Sequence, residues 1–333
     1  MIRVGIDLGA DKIRLVMENE GLLFDEACMV ALDQKGNVLA IGDEAKEMKE
    51  SLDQKIRVIS PLSQNKIDFD ALHALLEQLI YDYKVFRMFK KTVLLFSYPM
   101  ALNRQQREEL KQHLLEFGAY RVYFEQEIWV AAIGAQLNLF IPVASCVLNL
   151  GSSNCDIAVF SNGQMQKSSQ YKVAGRHINL LIQKWLRQSC HMQISDSMAE
   201  KIKINIGQTQ MQKQPKTMLV QGVNMQSQKL MSLQLDENML VPVLYPLCEQ
   251  WARWIYQFLA GLNPEQQEDV RMRGIICCGG TMLLKGLKEN LQSLVNCPVY
   301  VTDDPQSTVS QGLEILLERM GENDAGRTQK SSI

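Results

Sequence analysis

An α/β fold of two similar halves is what this 333-residue sequence predicts. Three observations predict it. Short apolar runs alternate with helical patterns along the chain. Three glycine-bearing turns each follow such a run: Gly5-Ile6-Asp7-Leu8-Gly9, Leu148-Asn149-Leu150-Gly151-Ser152-Ser153 and Cys278-Gly279-Gly280-Thr281. The first two have strand-like runs on both sides and lie half a chain apart. Turns of this kind bring backbone N–H groups up to a phosphate. Two halves facing each other across a nucleotide are therefore expected, with the third turn at the base or sugar.

The elements follow in order. Residues 2–8 and 13–17 form a hairpin around the first turn, and 28–32 and 38–41 a second one about Gly36-Asn37. A short helix opens at Asp43 over 43–50. Leu72, Leu75, Leu76, Leu79 and Ile80 recur at helical spacing within 70–84. Residues 93–96 are a buried strand, and a helix runs over 103–117 from Asn103 to Gly118. A strand at 122–124 and a helix at 127–138 close the first half.

The second half repeats this grammar. Strands at 145–151 and 156–160 flank the second turn, and Asn162-Gly163 marks another turn. A strand at 170–173 and helices over 177–188 and 195–206 follow. The glutamine-rich stretch 208–234 holds strand-like runs at 217–223 and 229–235. A long helix at 241–261 precedes a strand at 274–278, a helix at 282–293, a strand at 298–301 and a helix at 307–319. The polar tail 321–333 is expected to be disordered.

Composition sets outer limits. The chain is 46% hydrophobic and 22% charged, ordinary for a globular protein of two domains. A net charge of −2 gives no reason to expect nucleic-acid binding. The eight cysteines include no CxxC pair and fit reduced, buried thiols. Met1-Ile2-Arg3-Val4 runs straight into the first strand, so no signal peptide is expected. No apolar run approaches the roughly 20 residues of a membrane span, so any membrane contact would be peripheral. The four histidines show no metal-ligand spacing, and His73 and His113 suit packing or surface roles on amphipathic helices. Trp251 and Trp254 share a helix face and suit core packing.

Several segments resemble the MreB family of bacterial actins. They are Gly5–Gly9, Val38-Leu39-Ala40-Ile41-Gly42-Asp43-Glu44-Ala45-Lys46-Glu47-Met48, Ala131–Ala135, Ala199–Ile204 with Ile206-Gly207, and Gly279–Leu287. They stand in family order over nearly the whole chain. The resemblance implies an actin-like ATPase fold of the actin, Hsp70 and sugar-kinase superfamily, with two related domains and four subdomains. Its boundaries would be 1–140 plus 305–320 for domain I, with a small subdomain about 28–64. Domain II would be 141–304, with a small subdomain about 178–240. It also implies ATP and Mg²⁺ as cofactors and filaments under the inner membrane, in the cytoplasm. Other MreB paralogues and cell-wall synthesis proteins would be partners in setting cell shape.

Carried over residue by residue, the resemblance places the phosphates at Gly9, Ala10, Asp11 and Lys12 and at Gly151, Ser152, Ser153 and Asn154. Glu200 and Lys203 would flank adenine and ribose, with Gly279, Gly280 and Thr281. Asp7 would hold Mg²⁺ through water, and Asp7, Asn149 and Gln126 stand at the catalytic positions. This chain departs from the family there. The second loop is usually Asp-Ile-Gly-Gly-Gly-Thr, so Asn149 replaces an aspartate and lacks the charge a hard cation prefers. Serines replace glycines and allow fewer φ > 0 conformations. Ala10 lacks a family hydroxyl, while Lys12 and Arg14 can bring positive charge, which Asp11 opposes. Gln126 replaces the water-orienting glutamate, as in conventional actin. These changes bear on the same step, so slow or absent hydrolysis is expected.

Lys84-Val85-Phe86-Arg87-Met88-Phe89-Lys90-Lys91 lies where MreB carries a membrane-binding loop. Val85, Phe86, Met88 and Phe89 would enter the acyl boundary and the cations would meet headgroups. Two other readings stay open. One is a degenerate paralogue that regulates or copolymerises with an active MreB. The other is a small-molecule kinase or chaperone-like ATPase of the same superfamily, though no kinase base or sugar-binding insertion is found.

Overall fold

The structure is a computed structural model and describes residues 1–49, 55–63, 66–99 and 102–330. The chain divides into two units, Met1–Asn138 with the segment from Ser307 onward, and Leu139–Gln306.

The first unit opens with β1 (Ile2–Leu8), β2 (Lys12–Met17) and β3 (Gly21–Ala27). Then come β4 (Val30–Leu32), β5 (Val38–Ile41), α1 (Gly42–Met48), β6 (Arg57–Ile59), β7 (Leu62–Ser63) and β8 (Lys66–Ile67). Next are α2 (Phe69–Asp82), β9 (Thr92–Tyr98), α3 (Arg104–Phe117), β10 (Arg121–Gln126) and α4 (Glu127–Gly134). Its main sheet has the order β10-β9-β1-β2-β3. β1, β9 and β10 are parallel, and the β1–β2–β3 meander is antiparallel. β1 and β9 are buried along their whole length, the pattern of central strands covered on both faces. α3 makes the crossover from β9 to β10 and buries Leu110 and Leu114. Its ends are set locally. Asn103 and Gln106 form a capping box, and Gly118 takes φ 130° at the C-cap.

The second unit holds β11 (Ser145–Leu150), β12 (Cys155–Ser161), β13 (Gln164–Tyr171), α5 (Gly175–Ser189), β14 (Met192–Gln193) and α6 (Asp196–Ile206). It continues with β15 (Thr217–Asn224), β16 (Leu230–Asp236), α7 (Glu237–Ala260), α8 (Pro264–Arg273), β17 (Ile275–Cys278), a 3₁₀ turn (Gly280–Leu283), α9 (Leu287–Val295) and β18 (Val299–Val301). The main sheet order is β13-β12-β11-β17-β18, the same topology strand for strand. α9 takes the place of α3 and buries Leu287, Leu291 and Val295. Trp251 on α7 is fully buried and donates its indole N–H to the Val173 carbonyl at 2.6 Å.

α10 (Thr308–Lys330) returns to the first unit and packs on α4. Two glycines permit the crossing. A Cβ on Gly134 would overlap the Thr308 carbonyl oxygen, and one on Gly312 would overlap that of Val130. The Ala131–Ala135 motif is therefore a packing device.

The structure corrects several sequence readings. β3 was not foreseen, because Asp25 and Glu26 are poor strand residues; Asp25 is paired there with Lys12 and Arg14. β13 lies at 164–171 instead of 170–173, because Asn162 and Gly163, at φ 52° and 71°, turn the chain straight back onto β12. The helix placed over 282–293 starts only at Leu287, since Gly286 interrupts it at φ 76°. α8 was missed, as its only buried residue is Val270. α10 runs through Gly321 to Lys330, where a disordered tail was expected. No proline stops it, and its two glycines there, Gly321 and Gly326, cost only about 1 kcal/mol each. Glu50, in the short-helix reading, and 331–333, in the tail reading, lie outside the described residues. All eight cysteines are free, and all but Cys190 are buried.

Candidate functional site

In the first unit the site residues ride on the β1–β2 hairpin. Asp7 sits opposite Arg14 on β2 and beside Ser97 on β9. Both members of the cross-strand pair are buried, and Arg14 Nη1 donates to Asp7 Oδ2 at 3.0 Å. Arg14 Nε lies 3.0 Å from Asp25 Oδ1. Lys12 Nζ donates to that same oxygen at 3.0 Å. Two carboxylates and two cations thus form a neutral ladder across β1, β2 and β3. Burial pushes the Asp7 carboxyl up, and the Arg14 guanidinium opposes it. The second oxygen, Oδ1, is buried and leans on the Ser97 hydroxyl without a well-formed hydrogen bond.

Gln126, at the N-cap of α4, carries a buried Oε1 with no partner among the described residues. Asp7, Ser97 and Gln126 stand at the carboxyl ends of parallel strands, where open α/β sheets bind ligands. Gly9 is needed for space, since a Cβ would stand 2.6 Å from the Lys12 carbonyl oxygen. The Ala10 methyl packs against the core of the unit, and the Asp11 carbonyl accepts from Cys28 N at 2.9 Å.

The second unit repeats the hairpin position by position. Asn149 pairs with Asp156 across β11 and β12, as Asp7 pairs with Arg14. A Cβ on Gly151 would stand 2.8 Å from the Asn154 carbonyl oxygen, repeating Gly9. The loop is fixed from outside. The Gly151 and Ser152 carbonyls accept from the Gly175 and Arg176 N–H groups at 3.0 and 2.8 Å. The Thr281 hydroxyl also donates to the Gly151 carbonyl, at 2.8 Å. Gly279, at φ 91°, brings its Cα against Leu150 and the Asn149 side chain with no room for a Cβ. The structure thus brings two of the three glycine turns together, with Thr281 bracing the second. The conformational argument about the serines is corrected. Neither Ser152 nor Ser153 stands at positive φ, so they carry no left-handed strain. The Ser153 Oγ is buried without a partner among the described residues.

Sequence reasoning missed Asp156, Asp25 and Ser97. Asp156 is buried and accepts from Gln170 Nε2 at 3.2 Å, and burial pushes its carboxyl up to about 7. Its signal was available, as it follows Asn149 at the spacing that separates Arg14 from Asp7. Glu200 and Lys203 lie on α6, 3.8 Å apart. Among the described residues no group of three or more His, Cys, Asp or Glu side chains is arranged to hold a metal ion.

The 84–91 loop divides in two. Val85 is fully buried, and Phe86 packs on Phe117 with ring centroids 5.9 Å apart. These two anchor the loop in the core, which corrects their reading as membrane residues. Met88 and Phe89 stand out, 82% and 97% exposed. Phe89 takes φ 62°, a conformation bulky residues avoid. Arg87 is tied to Glu20 at 2.9 Å, and Lys91 lies over the Tyr120 ring at 4.2 Å. His73 and His113 stack with centroids 3.5 Å apart, and His113 lies 2.9 Å from Glu77. No described helix is long and apolar enough to cross a membrane.

Two sheets of one strand order, each opening on a glycine hairpin, define an actin-like ATPase fold. Known proteins agree. The chain is similar to MreB 5 of Spiroplasma citri, solved bound to AMPPNP, with a TM-score of 0.91, 25% identity and 98% of each chain covered. The MamK double helical filament shares the fold at a TM-score of 0.78 and 17% identity, over 95% of this chain and 98% of that one. The cell shape-determining protein Mbl of Bacillus subtilis is 30% identical over 319 residues, 95% of this chain and 96% of Mbl. The sequence model of the family described as MreB/Mbl protein matches residues 1–325. The chain belongs to the MreB/Mbl family.

Proposed function

We propose that this chain is a filament subunit of the MreB/Mbl type that binds ATP and helps to set cell shape by organising cell-wall synthesis. Each unit's glycine hairpin is a phosphate loop, and in the second unit Gly279–Thr281 and the α6 residues Glu200 and Lys203 lie on the adenosine side. The observation that carries this is the repeated hairpin, at one register in two sheets of one topology. The buried oxygens of Gln126 and Ser153, which have no hydrogen-bond partner among the described residues, support it, since buried polar atoms are ordinarily paired. The neighbour solved with AMPPNP supports the choice of an adenine nucleotide. Hydrolysis is slow, because Asn149 and Gln126 bring no charge to the attacking water. Calorimetry with ATP, followed by electron microscopy of the same sample, tests the reading. Binding and filaments are expected, and a chain that neither binds nor polymerises would refute it.

The chain works in the cytoplasm, at the inner membrane surface. Met88 and Phe89 form the inserting tip, and Lys84 and Lys90 meet anionic headgroups at about 1 kcal/mol each. Liposome pelleting is expected to fall sharply in Met88→Ser/Phe89→Ser. Unchanged pelleting would remove the membrane from the proposal.

A further inference from the structure

Two histidines outside the nucleotide reading face each other between α2 and α3. The rings of His73 and His113 are parallel within 2°, with centroids 3.5 Å apart. Both Nε2 atoms are buried and have no hydrogen-bond partner among the described residues. Glu77 Oε1 lies 2.9 Å from the His113 nitrogen without a well-formed hydrogen bond. The stack is one step of a longer ladder. Phe69 meets His73 edge-on at 5.8 Å, His113 lies parallel to Phe117 at 6.4 Å, and Phe117 meets Phe86 at 5.9 Å. Phe86 fills the space over Gly118, where a Cβ would stand 3.3 Å from its ring. The ladder therefore runs from the α2–α3 seam to the anchor of the 84–91 loop.

Neutral imidazoles stack at this distance, and two imidazolium ions repel each other there. The pair titrates as one coupled unit. Burial pushes the His73 imidazole below its ordinary 6.5, and the neighbouring His113 adds to that. Glu77 and Asp70 on α2 and Glu109 on α3 pull the other way. β4 and β5, also packed on α2, carry no charged residue, and β10, packed on α3, carries Arg121 and Glu125. The closed stack binds fewer protons than the open one. Its contribution is present above the ordinary 6.5 and is lost as pH falls below it.

We propose that the His73–His113 stack is a proton-operated latch between α2 and α3, closed while at least one ring is neutral and opened when both are charged, and that opening loosens the Phe86 anchor and the 84–91 loop. Its consequence for membrane binding rests on the membrane reading above, and the latch itself does not. Hydrogen exchange of the full chain at about pH 7.5 and about pH 5, corrected for the intrinsic pH dependence of exchange, tests it. The reporter is the Val85 N–H, bonded to the Ile80 carbonyl at 3.0 Å, and the control is the β11 N–H groups of the second unit. Val85 protection is expected to fall by about tenfold or more at the lower pH while β11 holds. Unchanged Val85 protection, or an equal loss in β11, would overturn the proposal. His113→Phe keeps a ring in the stack without its charge, and His73→Gln removes the other charge without adding bulk. Either variant is expected to keep Val85 protected at about pH 5, and a fall of wild-type size in a folded variant would overturn the latch. Liposome pelleting of wild type is expected to fall with Val85 protection, and pelleting that stays level would overturn the membrane consequence. Pelleting at neither pH would remove the membrane reading and leave the latch standing.

Discussion

The β1–β2 and β11–β12 hairpins share register and a glycine at the same position, and they differ in what faces across the strands. In the first, Asp7 meets Arg14 and the ladder ends on Asp25. In the second, Asn149 meets Asp156 and the ladder ends on Gln170. The backbone is constrained alike in both, because Gly9 and Gly151 each press against the carbonyl three residues on. The side chains are not constrained alike. One hairpin holds a compensated buried ion pair, and the other holds a buried carboxyl that takes an amide donor from Gln170. Scaffold and charge are thus set by different positions, and charge has changed while scaffold has stayed.

The largest way to break this contrast is Arg14→Leu. It leaves the Asp7 carboxylate buried and unpaired, and a loss of about 3–5 kcal/mol is expected from urea unfolding. Asp7→Asn in the same chain should recover part of that loss. A loss below about 1 kcal/mol would mean that the pair is not buried in solution.

Asp156 gives the next effect, through pH. Its folded carboxyl is raised from the ordinary 3.8 to about 7. Its contribution is fully present below the unfolded value and is lost as pH rises through the folded one. At roughly 1.4 kcal/mol per pH unit, wild type should lose about 4 kcal/mol relative to Asp156→Asn between about pH 4 and pH 8. Parallel urea midpoints across that range would contradict the assignment.

Asn149→Asp restores a carboxylate to the second hairpin. It is expected to raise phosphate release by about tenfold or more, within the roughly 2.7–4 kcal/mol of one lost electrostatic element. An unchanged rate would point to Gln126 as the limiting residue. The smallest effect belongs to Ser153→Ala. Removing a buried hydroxyl without a partner among the described residues should shift stability by less than about 1 kcal/mol, and can raise it.

Much of this was legible in the sequence, for physical reasons. The Asn103 and Gly118 stops and the Leu72–Ile80 stripe depend on residues close in the chain, so α2 and α3 were readable. The two hairpins were readable because a glycine that must fit under a carbonyl leaves a mark on its own. β3 was not, because its charges are favourable only once Arg14 and Lys12 lie beside them. Val85 and Phe89 look alike in the sequence, and folding buries one and exposes the other.

The sequence by itself determined the family, the strand grammar of both units and the place of the two glycine hairpins. These follow from local sterics and short-range periodicity, which each segment carries alone. The tertiary structure decided the rest. It tied Asp7 to Arg14, set Asp156 against Asn149, braced the second loop with Thr281 and turned Met88 and Phe89 outward. Each of those outcomes depends on what the neighbouring strand or turn offers at contact distance. Charge compensation and burial belong to the assembled sheet and to no single segment.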